Sequence, residues 1–105
     1  MSKREQQAKR RYEAAWKAAE ADGFDMTPMP VGEPRATARK ASALADHYER
    51  TVRRPQHRLS KRDAESSRDV MRALASAAQS YADHHERAEQ ERRRQRQAGG
   101  EVVNG

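Results

Sequence analysis

Apolar residues recur along this chain at helical intervals in three separate segments. In the first segment the intervals are four, three, one and three residues, at Ala8, Tyr12, Ala15, Trp16 and Ala19. Side chains at such intervals share one face of an α-helix, so the pattern predicts an amphipathic helix over about 2–22. Ser2 is a suitable N-cap for this helix, and Gly23 is a suitable residue just after its C-terminus.

A second amphipathic pattern predicts a helix over about 35–53. Its apolar stripe consists of Ala41, Leu44, Ala45, Tyr48 and Val52. The steps between these positions are again those of a single helical face. Pro55 predicts the end of this helix, because a residue that precedes proline avoids the α region.

The third pattern predicts a long helix over about 60–98. Ser60 and Asp63 resemble a capping box at its start, with Asp in place of the usual Glu. Gly99 and Gly100 predict its end, and we expect a disordered tail over 99–105. The predicted seam follows steps of three and four, at Ser67, Val70, Leu74, Ala77, Tyr81, His84 and Ala88. Such a helix is about 58 Å long, so the stretch after about His85 should protrude beyond the shorter first helix.

The segment between the first two helices cannot be regular helix, because it is rich in Pro and Gly. It nevertheless carries four apolar residues, Phe24, Met26, Met29 and Val31. One interpretation is a strap that lies across the helices. The other is an exposed motif that docks into the groove of a partner.

Composition favours helix more than it favours a large core. Leu, Val and Phe together number nine, Ile is absent, and there are 19 Ala. Alanine is the best helix former, but each alanine buries little apolar area. We therefore expect an all-α fold: a single domain over 1–98 with three helices, a long protruding C-terminal helix and an alanine-rich seam. A monomer of marginal stability, which gains from a homodimer or a helical protein partner, is the corresponding expectation.

Positive charge is concentrated where the second helix gives way to the third. The chain has 22 Lys and Arg against 16 Asp and Glu, for a formal net charge of +6. No acid occurs from Thr51 through Arg62. The candidate nucleic-acid-binding residues here are Arg50, Arg53, Arg54, Arg58, Lys61 and Arg62. Each phosphate that such residues neutralise releases condensed counterions, and arginine can also form paired hydrogen bonds with a phosphate.

A second basic cluster lies near the predicted end of the third helix. It consists of Arg92, Arg93, Arg94 and Arg96. An arginine-rich segment of this kind can lie along nucleic acid. The alternative is that these cations interact with the helix dipole and with Glu86, Glu89 and Glu91. Codon bias is a further alternative for both clusters, since the chain has 17 Arg but only five Lys.

Enzymatic, metal-binding and membrane-spanning roles have little support in the sequence. Cysteine is absent, and no phosphate-binding loop, dinucleotide fingerprint or nucleophile elbow occurs. We therefore expect no enzyme activity, no cofactor and no small-molecule substrate.

His84 and His85 are adjacent, so on a helix they point about 100° apart and do not make a metal pair. No apolar run is long enough to span a membrane and no signal peptide is recognisable, so we expect a cytoplasmic protein.

Two functional hypotheses follow. The first is a small accessory nucleic-acid-binding protein that makes mainly phosphate-backbone contacts through the basic junction between the second and third helices. The alternative is a helical protein-interaction or assembly module, an adaptor or structural subunit, that acts through its long third helix.

Overall fold

The computed structural model consists of three α-helices, as the sequence predicts. It describes residues 2–30, 32–54 and 59–104, with side chains through Ala98. Helix α1 is Lys3–Ala21, α2 is Pro34–Arg53 and α3 is Lys61–Asn104.

Helices α1 and α2 both pack against α3. Glu5 near the start of α1 meets His85, and the Tyr12 ring lies 5.7 Å from that of Tyr81. Helix α1 therefore runs antiparallel to α3.

Helix α2 runs antiparallel to α3 as well. Arg35 at its start pairs with Asp83 at 3.1 Å and with Glu86 at 2.7 Å. Glu49 near its end pairs with Arg68 at 2.8 Å, early in α3. Helices α1 and α2 are consequently parallel to each other.

Both ends of α1 are capped by local sequence signals. The Ser2 hydroxyl accepts a hydrogen bond from the Glu5 amide at 3.1 Å, which confirms the predicted N-cap. Gly23 has a φ of 95°, a region that favours glycine. The Gly23 amide donates to the Glu20 carbonyl and the Phe24 amide donates to the Ala19 carbonyl. This pair of bonds is a Schellman motif, and it turns the chain out of α1 into the linker.

The linker lies against the helices as a strap. Met26 and Met29 are buried in the main core, and the Phe24 ring makes an edge contact with Tyr48 at 5.9 Å. The Lys40 ammonium also donates to the Pro28 carbonyl at 3.0 Å. The strap interpretation is therefore confirmed over the described residues, while Val31 lies outside them.

A short hydrogen-bond relay joins α1, α2 and the strap. The Tyr12 hydroxyl donates to Thr37 Oγ1 at 3.2 Å, and the Thr37 hydroxyl donates to the Pro30 carbonyl at 3.1 Å. Burial raises the pKa of the Tyr12 hydroxyl above its ordinary value of 10.0, because a phenolate would lose its hydration there. Tyr12 therefore stays a hydrogen-bond donor at physiological pH.

The core is built mostly from alanine and methionine. The predicted stripes of α1 and α2 do face inward, with Ala8, Tyr12, Ala19, Ala41 and Ala45 buried. The predicted seam of α3 is only partly right: Leu74 and Ala77 are buried, but Val70 and Tyr81 are half-buried. The fully or nearly fully buried positions that the seam omitted are Ala64, Met71, Ala78 and Ala82. Because α3 carries two helices and a strap, its buried face is wider than a single seam of alternating steps.

Helix α3 is longer than predicted. It continues to Asn104 rather than ending at Ala98. Glycine costs only about 1 kcal/mol relative to alanine in a helix, so Gly99 and Gly100 weaken a helix without forbidding it. The predicted disorder of residues 99–105 stays a prediction, and Gly105 lies outside the described residues.

The molecule is elongated because α3 extends past its neighbours. Its principal extents are 70 × 21 × 21 Å, and its radius of gyration is 18.3 Å against about 13 Å for a compact domain of this length. Residues 90–98 are all exposed. The start of α1 lies beside Ala88 and Arg92, so the protruding part begins later than the predicted His85.

Replacing Tyr12 by Phe should lower the free energy of unfolding by about 1 kcal/mol, because it removes one buried hydrogen bond and little apolar surface. Urea unfolding followed by circular dichroism measures the change. Tyr48→Phe is the matched control: Tyr48 is half-buried, and its hydroxyl has no hydrogen-bond partner among the described residues. Equal losses for the two variants would contradict the importance of the relay.

Candidate nucleic-acid interface

The predicted basic junction forms one end of the molecule. The Ser60 hydroxyl accepts from the Asp63 amide at 3.1 Å, so the predicted cap starts α3. Arg54, just after α2, has φ −133° and ψ 80°, outside the α region that a residue before proline avoids. Since Glu49 pairs with Arg68, the last turn of α2 and the first turns of α3 project together beyond that pair.

Five of the six predicted junction residues are described, and all five are exposed: Arg50, Arg53, Arg54, Lys61 and Arg62. Arg58 lies outside the described residues. Four of the five, all except Arg53, make no ion pair within 4.0 Å with any described residue. Their charges are therefore available to a ligand.

Glu49 is the last acid of α2 before this end, and three arginines surround it. Arg68 donates to it at 2.8 Å, while Arg53 and Arg72 lie at 3.5 Å. The hydrogen bond from Arg68 is the main reason that the pKa of the Glu49 carboxyl is lowered, and the charges of the arginines add to it. Among the five described junction residues, Arg53 alone has an ion-pair partner, although 78% of its side chain is exposed.

Two of the free arginines also share a small cleft on α2. Arg50 and Arg54 line it together with His47 and Thr51, and its volume is about 240 Å³. The Thr51 hydroxyl donates to the His47 carbonyl at 3.2 Å, which leaves the two guanidinium groups as the charged donors of the cleft.

The second predicted cluster lies at the opposite end of the molecule. Arg92, Arg93, Arg94 and Arg96 are exposed on the protruding part of α3. Arg62 and Arg92 are separated by about 45 Å along the helix, so the fold does not bring the two predicted clusters together. Arg92 pairs with Glu89 at 3.4 Å, one of the local ion pairs that the sequence offered as an alternative explanation.

The fold brings one predicted residue, Arg92, together with basic residues that were not predicted as binding residues. Arg4 from α1 and His84, Arg87 and Arg92 from α3 line one cleft of about 510 Å³. The contact joins residues more than 80 positions apart in the chain. No local pattern marks Arg4 or Arg87, and only the antiparallel docking of α1 on α3 places them together.

Glu5 and His85 meet close to this end but do not form a metal site. The Glu5 residue is 1% exposed, and its Oε1 lies 3.1 Å from His85 Nδ1. Its Oε2 is buried and has no hydrogen-bond partner among the described residues. Across the described part of the chain, no group of three or more His, Asp or Glu side chains is placed to hold a metal ion.

Comparisons with protein-family models, with curated proteins and with solved structures found no match to this chain. Within the described residues, no helix combines the length and the apolarity needed to cross a membrane.

The Glu49 cluster should make stability depend on pH. Because the folded-state pKa of Glu49 is lowered, its contribution to stability is present above the unfolded-state pKa of about 4.3 and is lost as the pH falls through the folded-state value. Glu49→Gln should therefore lower the melting temperature at pH 7 and reduce its dependence on pH below about 4.5. Thermal unfolding between pH 3 and pH 7 measures this, with the exposed Glu13→Gln as control. A pH profile for Glu49→Gln that superimposes on that of the parent protein would contradict the assignment.

Proposed function

We propose that this chain is a small accessory nucleic-acid-binding protein that contacts mainly the phosphate backbone through its basic junction. The observation that carries the proposal is the set of four exposed basic side chains, Arg50, Arg54, Lys61 and Arg62, without an ion-pair partner among the described residues. Of the two acids nearest the junction, Glu49 is engaged by Arg68 at 2.8 Å, and Asp63 in the first turn of α3 makes no ion pair within 4.0 Å with the described residues.

Phosphate contacts fit this surface better than base readout does. The junction residues project from two helix ends at the tip of a rod about 21 Å wide. A reading helix would have to lie lengthwise in a major groove and direct several side chains to base edges. Arginines at a helix end instead reach the backbone, where binding depends on charge and little on sequence. We infer a binding role of this kind, without catalysis.

The salt dependence of DNA binding should report the phosphate contacts of the basic junction. At about six phosphate contacts, affinity for duplex DNA should fall by about a thousandfold between 50 and 200 mM salt. Replacing Arg50, Arg54 and Arg62 by Gln removes three contacts, so the loss over the same range should shrink to about fortyfold. Fluorescence anisotropy of a labelled 20-base-pair duplex measures, for both proteins, the slope of the logarithm of affinity against the logarithm of salt concentration.

A matched control separates the junction from net charge. Lys9→Gln, Arg10→Gln and Lys17→Gln together also remove three positive charges, from exposed positions on α1 without ion pairs to described residues. This control should keep a slope close to that of the parent protein. If both triple variants weaken binding equally, the junction has no special role. Weak binding by the parent protein at 50 mM salt would contradict the proposed function itself.

A second candidate function is the assembly module, as a homodimer or with a helical protein partner. The observation in its favour is a groove of about 540 Å³ in which the rings of Tyr12, Trp16 and Tyr81 are bordered by Lys17 and Glu20. Trp16 and Tyr81 are half-buried, so part of each ring is accessible. The strap cannot serve as the docking motif in this structure, because Met26 and Met29 are buried.

Sedimentation velocity between about 5 and 500 µM tests self-assembly. A homodimer should appear as a concentration-dependent species that Trp16→Ala removes. A single monomeric species throughout the range would exclude a homodimer of this affinity and would favour the nucleic-acid proposal.

A further inference from the structure

We infer that the cleft between α1 and α3 is a second phosphate-binding site, and that one DNA duplex occupies it together with the basic junction. This inference rests on the proposed function and extends it from one contact region to two. The cleft residues that carry it are Arg4, His84, Arg87 and Arg92. They come from two helices that only the fold brings together, and they surround a space large enough for a phosphodiester group.

The charge of the cleft favours an anion. Three guanidinium groups and one imidazole line it, against a single carboxylate, that of Glu91. Arg4 and Arg87 make no ion pair within 4.0 Å with the described residues, and Arg92 has only the 3.4 Å contact with Glu89. Arginine is suited to this role because its planar donors match the oxygens of a phosphate.

One exposed face of α3 connects the cleft to the junction. The positions on this face recur at steps of seven, four and three, at Arg62, Asp69, Ala73, Ser76, Ser80, Arg87 and Arg94. Such steps keep side chains on one side of a helix. All of these residues are exposed except Ser80, which is half-buried. The middle of the face carries small side chains, and three acids lie on it or at its edge: Glu65, Asp69 and Asp83. Asp69 is paired with Arg68 at 3.0 Å, and Asp83 is paired with Arg35 at 3.1 Å.

The spacing along this face matches a duplex. Arg62 and Arg87 are 25 residues apart, which is about 37 Å along a helix. One turn of B-form DNA is about 34–36 Å long, so backbone phosphates return to the same side of the duplex at nearly this interval. A duplex lying along α3 can therefore present phosphates to Arg62 at one end and to Arg87 and the cleft at the other.

Duplex length tests the inference. Labelled DNA hairpins with stems of 7 and 18 base pairs span about 24 and 61 Å at about 3.4 Å per pair. Only the longer stem reaches both sites. Anisotropy at 100 mM salt gives an association constant for each stem, which is divided by the number of positions at which the protein can bind that stem. The corrected constant should be at least tenfold higher for the 18-base-pair stem than for the 7-base-pair stem.

Variants of the cleft should act mainly on binding to the long stem. Arg4→Gln, Arg87→Gln and Arg92→Gln together should abolish the gain from length, whereas binding to the 7-base-pair stem should weaken by no more than about twofold, because the junction still binds that stem. Glu91→Gln should have the opposite effect and tighten binding to the 18-base-pair stem by a few-fold. The Lys9, Arg10 and Lys17 control should keep the gain from length, and melting temperatures confirm that each variant is folded.

The outcomes separate this inference from the proposed function. The second site is overturned if the corrected affinity is equal for both stems, or if the cleft variant keeps the gain from length. In either case the junction can still bind the short stem. Weak binding to both stems at 50 mM salt overturns the proposed function, and with it the second phosphate-binding site.

Discussion

Alanine-rich helix faces allow close packing but remove little apolar surface from water, and the architecture of this protein depends on that constraint. Most buried side chains of the core are alanine, and the only fully buried large apolar residues among those described are Met71 and Leu74. Two short helices cannot gain enough from such faces alone. Both instead pack on α3, and the strap adds Met26 and Met29 to the same core. Methionine suits this position because its flexible thioether fills irregular space.

The same constraint explains why polar links matter between the elements. The relay from Tyr12 through Thr37 to Pro30 joins three elements at a point where few large apolar contacts exist. The ion pairs of Arg35 and Glu49 hold the two ends of α2 to α3. Each of these links is modest in free energy, since most are partly exposed. Together they fix the antiparallel register that a surface of small alanines leaves poorly defined.

Local signals in the sequence were sufficient for the three helices, for both ends of α1 and for the start of α3, but not for the end of α3. The spacing of Ala8, Tyr12 and Ala19 predicted the buried face of α1, and Ser2 and Gly23 predicted its ends. The breadth of the buried face of α3 was missed because a seam of alternating steps predicts packing against one partner. Met71, Ala78 and Ala82 lie on a wider face, against which α1, α2 and the strap pack. The Arg4 cleft was missed for a related reason: its residues become neighbours only after α1 docks on α3. The proposed phosphate contacts thus combine a junction that is readable from the sequence with a cleft that is not.

NMR mapping of a DNA hairpin on the folded protein shows which side chains meet its phosphates. In the proposed binding mode, phosphates meet the basic junction and the α1–α3 cleft along one exposed face of α3. In spectra that resolve the arginine Nε–H groups, titration with an 18-base-pair hairpin should shift the signals of Arg50, Arg62 and Arg87. The signals of Arg35 and Arg68, held in ion pairs at 2.7–3.1 Å, should move little. Shifts confined to the Trp16 indole N–H, or spread evenly over all exposed arginines, would contradict this binding mode.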